Sequence, residues 1–79
     1  MTEEQMKKFK ESVFTPYTEA WNMIKAMRDA KEKDDDFWEK YLSDALSFPE
    51  KFGDSEIARS LVRVIIDAGD EYARIERAK

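Results

Sequence analysis

Apolar residues recur every three or four places along the first 33 positions. Met6, Phe9, Val13, Tyr17, Ala20, Ile24 and Met27 form a helical seam, widened on one side by Phe14 and Trp21. Thr2 followed by Gln5 supplies a capping box for its start. Pro16 interrupts the pattern, because proline has no N–H for the Ser12 carbonyl and its ring collides with that carbonyl. Two outcomes fit. The helix kinks and continues, or Thr15 caps a new helix with Pro16 at its first position, and residues 3–14 fold back as a separate helix.

From about residue 35 to 48, Phe37, Trp38, Tyr41, Leu42, Ala45 and Leu46 fill one half of a helical wheel, and Glu39, Lys40, Ser43, Asp44 and Ser47 the other. Asp34 or Asp35 caps this second helix, and Pro49 marks its end. A third helix begins after Gly53 with Asp54 or Ser55 as cap. Its apolar residues, Ile57, Ala58, Leu61, Val62, Val64, Ile65, Ile66, Ala68 and Tyr72, spread over roughly 200° instead of the ~100° of an ordinary surface helix, so it packs on two sides. Arg59, Ser60, Arg63, Asp67, Asp70 and Arg74 make its polar arc, in which Arg63–Asp67 and Asp70–Arg74 are four apart and suited to pairing. Gly69 costs about 1 kcal/mol relative to alanine inside a helix, which points to a close helix crossing or a local break. No alternating run is long enough for a strand. The pattern predicts an all-α fold, a small antiparallel bundle of three helices, or four if the first breaks near Pro16.

Composition narrows the classes. Seventy-nine residues make one domain, 1–79, and ten aromatics give its small core a dense apolar supply. Two glycines and two prolines exclude collagenous, linker-like and most all-β chains, and 42% hydrophobic residues exclude a disordered tail. Absence of His and Cys removes disulfides, most metal sites and the usual nucleophile–base pairs. The longest strongly apolar stretch, Val64–Ile66, is far below the ~20 residues of a membrane span. The acidic, polar start does not resemble a signal peptide, so a cytoplasmic location is expected. A net charge of −4 opposes binding to nucleic acid and to anionic membranes.

What chemistry remains is sparse. Asp34, Asp35, Asp36 and Glu39 are the densest acidic cluster, but they lack the ligand spacing of a calcium loop and read as a cap plus solvated charge. Asp67, Asp70 and Glu71 share a helix face with spacing suited to Mg²⁺. In that one respect the chain is similar to all-α nucleotide pyrophosphohydrolases, which place acidic pairs on adjacent helices around Mg²⁺ and a triphosphate. A second pair is not evident, and Arg63 and Arg74 stand beside these acids. Lys7, Lys8 and Lys10 near one end, and Arg74, Arg77 and Lys79 near the other, are interleaved with acids, so no direct nucleic-acid contact is expected. Neither a cofactor nor a catalytic group is indicated.

The layout of a tryptophan-bearing first helix, a second opening at Phe37-Trp38-Glu39 and a last one ending Tyr72-Ala73-Arg74-Ile75-Glu76 resembles small helical proteins of phages and prophages in Gram-positive bacteria. The expected function is a non-enzymatic protein-interaction module acting through apolar helix faces. The alternatives are an acidic inhibitor or regulator of a nucleic-acid enzyme acting by charge mimicry, and a Mg²⁺-dependent nucleotide hydrolase. Helix lengths add a partner. At 1.5 Å per residue the three helices span roughly 46, 21 and 36 Å, so the short second helix covers only part of the first. Met6, Phe9 and Val13 are then left unpacked at one end, and Tyr72 and Ile75 at the other. These five residues are the candidate interface of a homodimer. Within the expected core of Trp21, Ile24, Trp38, Tyr41, Leu42, Leu61, Val64, Ile65 and Ala68, the substitution Leu61→Ala should lower stability by ~2–5 kcal/mol in a urea titration. A loss below about 0.5 kcal/mol would misplace the central helix.

Overall fold

The computed structural model describes residues 1–78; Lys79, one of the C-terminal cations above, lies outside the described residues. The chain is all-α, with no strand among the described residues. Helix α1 (Glu3–Phe9) passes through a π-helical turn (Lys10–Phe14) into α2 (Thr15–Asp29), followed by α3 (Asp35–Leu46), a short α4 (Phe48–Phe52) and α5 (Glu56–Arg77).

Pro16 neither breaks nor folds back the first helix. Just before it the Thr15 N–H reaches the Lys10 carbonyl, five residues back instead of four. A wider turn of this kind relieves the collision between the proline ring and the carbonyl one turn earlier. α1, the π turn and α2 therefore form one rod of about 40 Å. Thr2 and Gln5 close the expected capping box at its start. Pro16, Ala20 and Met27 form the buried line of α2, and Tyr17, expected in the seam, is 63% exposed.

α3 returns antiparallel along α5. Near its start Trp38 and Tyr41 lie over Gly69, where an added Cβ would meet the Tyr41 ring at 3.1 Å and the Trp38 ring at 3.3 Å. The Tyr41 hydroxyl donates a 2.6 Å hydrogen bond to the Ile65 carbonyl. Gly69 thus serves the close crossing that its position suggested. Asp34 caps α3 by accepting from the Phe37 N–H, and Ser55 caps α5 by accepting from the Ala58 N–H. α3 ends at Leu46, just short of Pro49 as expected, but Pro49 does not end the helical structure. It occupies the first turn of α4, where a missing N–H leaves no helical bond unmade, and Phe48 ahead of it is fully buried. Gly53, at φ +83°, then reverses the chain into α5.

α2 and α5 run side by side in the same direction. The Lys51–Glu19 ion pair at 3.0 Å ties α4, just before α5, to the early part of α2. At the other end the Lys33 ammonium, past α2, stands 4.6 Å from the centre of the Tyr72 ring. Between these ties the core comprises Ala20, Met27, Tyr41, Ala45, Phe48, Leu61 and Ile65, with Ile24, Trp38 and Ala68 packed against it. Three expected core members lie outside it: Trp21 is 51% exposed, Leu42 45% and Val64 49%. For Val64 the wide apolar arc of α5 is the reason. Its neighbours bury the line Ala58, Leu61, Ile65 and Gly69 and leave the edge bearing Ile57 and Val64 open.

Gly69→Ala tests the crossing. On an unobstructed helix the change would stabilise by up to about 1 kcal/mol. Here the added methyl presses on a tyrosine ring pinned by its hydroxyl, so a net destabilisation of ~1–2 kcal/mol is expected by urea titration. A gain in stability would show the crossing to be loose.

Candidate interaction surface

The first helix outruns its partners. Neither α1 nor the π turn contributes a buried residue, and residues 1–15 are all exposed apart from half-buried Val13. The molecule measures 50 × 21 × 19 Å, much longer than a bundle of its 12-residue α3 would require. Of the five candidate interface residues, Met6 and Phe9 lie on this projecting arm, 59% and 56% exposed, with Val13 between the arm and the bundle. Ile75 is 56% exposed at the opposite end. Tyr72 is not left uncovered as the helix lengths suggested. It packs against the core edge beneath Lys33, because the chain leaving α2 carries that lysine across its ring.

A longer feature emerges when the arm is followed into the bundle. Phe14, Tyr17 and Trp21 fall at i, i+3 and i+7 on one line, and all three are more than half exposed. Across the π turn, five residues complete about one turn, which brings Phe9 into line with Phe14. Met6, Phe9 and Phe14 accordingly line one shallow apolar groove, flanked by Lys7 and Lys10. The stripe runs Met6, Phe9, Phe14, Tyr17, Trp21.

Its direction follows from the neighbouring grooves. Met23 and Met27 on one flank of α2 line a cleft with Phe37 and Tyr41 of α3. Ile66, Gly69 and Ala73 on one flank of α5 line another with Trp38 and Leu42 of α3, an open groove of about 430 Å³. The other flanks, carrying Tyr17 and Trp21 on α2 and Ile57 and Val64 on α5, therefore turn away from α3. Together they make one apolar back face, continuous with the arm. Periodicity could find every residue of it, but it assigned Trp21 and Val64 to the core because an unpaired face and a buried face carry the same pattern.

Polar groups are arranged differently. Asp67 pairs with Arg63 at 3.8 Å as its spacing suggested. Arg74 pairs with Glu71, three residues earlier, and not with Asp70 as its spacing suggested. Arg28 hydrogen-bonds Asp29 and holds that carboxyl below the usual range. Among the described residues no group of three or more acids is placed to hold a metal ion, and no buried side-chain polar atom lacks a partner. No helix among them is long and apolar enough to cross a membrane. Comparison with known protein families, curated proteins and solved structures finds no match. The reading of the surface therefore rests on geometry.

Tyr41 is the core's titratable side chain. Burial pushes its phenol up to about 12, and its proton makes the bond to the Ile65 carbonyl. A phenol raised in the folded state from an ordinary value near 10 contributes stability that is complete below pH ~10 and lost as pH rises toward about 12. Tyr41→Phe should remove that component of the alkaline loss while lowering stability at neutral pH by ~1 kcal/mol. Urea midpoints at pH 7 and pH 11 for both proteins measure it; an equal alkaline drop in the two would show that Tyr41 does not carry the effect.

Proposed function

We propose that this protein is a non-enzymatic, all-helical interaction module that works by pairing with a second copy of itself through the apolar back face of its long first helix. The observation that supports this reading is the continuity of that face. Five large residues lie along it, each between 51% and 63% exposed. Given that large side chains present ~150–250 Å², they leave roughly 600 Å² open, and Ile57 and Val64 extend the patch. A monomer's largest apolar patch is usually about 300–600 Å², and patches at or beyond that size mark interaction sites. The arm adds a second argument. Isolated helical segments of fewer than ~12–15 residues are marginal in water, and residues 3–14 have no core of their own to hold them. A partner surface supplies what the chain lacks. The resemblance of the sequence layout to small phage and prophage proteins is in keeping with an accessory role of this sort.

Light scattering is the test. The unmodified protein should be dimeric at high micromolar concentration, and Phe9→Glu, which places a carboxylate in the stripe, should be monomeric, keeping the helix content of the bundle by circular dichroism and losing no more than that of residues 3–14. Because Phe9 touches no core residue, the fold should survive and the dimer weaken by ~2 kcal/mol or more. An unmodified protein that stays monomeric at high micromolar concentration would overturn the proposal.

A further inference from the structure

The stripe has an internal symmetry that specifies how two copies would meet. Met6 and Trp21 lie equally far on either side of a point between Val13 and Phe14, and Phe9 and Tyr17 lie nearly so. A row of this kind matches its own reverse, which is what a two-fold axis crossing a helix requires of the surface it passes through. From this we infer that two chains pair antiparallel about the π turn, so that the arm of each lies along the α2–α5 back face of the other. The inference rests on the self-pairing reading above and adds its geometry. Met6 of one protomer meets Trp21 of its partner, Phe9 meets Tyr17, and the two Phe14 rings meet near the axis.

Charge and area support the same arrangement. In the antiparallel pair Glu3 and Glu4, at the tip of the arm, lie alongside Lys25, one turn beyond Trp21. A parallel pair would instead set Glu3 and Glu4 against themselves, and likewise Lys7 and Lys10, with like charges along the whole seam. The antiparallel pair also brings the arm over Ile57 and Val64 at the edge of α5, which a parallel pair leaves bare. Counting these two residues, each chain offers roughly 750 Å² and the pair ~1,500 Å², the size of an ordinary specific interface. The π turn has a definite part in this. It carries the extra residue that puts Phe9 in line with Phe14, and so makes one stripe from two.

Disulfide trapping distinguishes the arrangements, and the chain's lack of cysteine makes introduced thiols the only ones present. Met6→Cys and Trp21→Cys are prepared separately, checked for helix content, and oxidised alone and as an equal mixture. Antiparallel pairing predicts at least about a tenfold excess of the mixed disulfide over either like-with-like product, because identical positions are then about 22 Å apart and a disulfide needs its Cα atoms within ~7 Å. Glu3→Cys with Lys25→Cys, which keeps every apolar residue of the stripe, is read in the same way and serves if the first pair weakens association. Rapid cross-linking of each variant with itself would establish a parallel pair and overturn the inference. Dimers by light scattering that trap neither mixed disulfide would overturn the register while leaving self-pairing intact. A monomeric unmodified protein would remove the reading beneath it.

Discussion

A helix longer than anything packed against it governs the architecture. The rod from Glu3 to Asp29 is about 40 Å long, while α3, running back along the bundle, has only 12 residues. The bundle closes around the later half of the rod, where Pro16, Ala20 and Met27 are buried, and nothing remains to cover the earlier half. That half carries Met6, Phe9 and Phe14 in contact with water. Had Pro16 broken the helix, the arm could have folded back onto the bundle. The π turn keeps it straight and exposed, so a local answer to one proline's steric problem determines the shape of the whole molecule.

The bundle half is held by a close crossing in which a small residue, a ring and a carbonyl fit together. Gly69 admits the Tyr41 ring, and the hydroxyl of that ring bonds the Ile65 carbonyl one turn earlier on α5. Phe37 and Trp38 pack around Tyr41, with ring centroids 6.3 and 5.7 Å away. This cluster sets α3 on one side of α5 and leaves α2 to take the adjacent side. The remaining flanks of α2 and α5 are then bound to share an open face. The ion pairs, by contrast, lie on the surface with both partners exposed, and such pairs contribute at most about 1 kcal/mol each.

Much of this was legible in the chain because helical periodicity is strong and the caps are explicit. Thr2, Asp34 and Ser55 each accept the backbone N–H that their positions implied, and Gly69 marked the crossing. What periodicity could not resolve was which part of a wide apolar arc meets a neighbour. Val64 and Ile65 are adjacent and both apolar, yet one is 49% exposed and the other fully buried. That difference arises from where α2 sits, a tertiary fact. The same limit misplaced Trp21, because an exposed apolar face and a face inside a core are built from the same residues. Phe48 was hidden for another reason. Pro49 reads as a stop, and only the structure shows it starting a new turn that buries the phenylalanine before it. Of the candidate interface, Met6 and Phe9 were readable from helix lengths alone, but their continuation through Phe14 and Tyr17 depended on the extra residue of the π turn.

The central claim is that residues 3–14 are held helical by a second chain and not by their own. Amide hydrogen exchange followed by mass spectrometry at low nanomolar and at high micromolar protein reads this directly, segment by segment. The account predicts that exchange in residues 3–14 slows markedly as concentration rises, while the buried segments around Ile65 and Ala45 exchange at a rate far less dependent on concentration. An arm whose exchange is the same at both concentrations would contradict it.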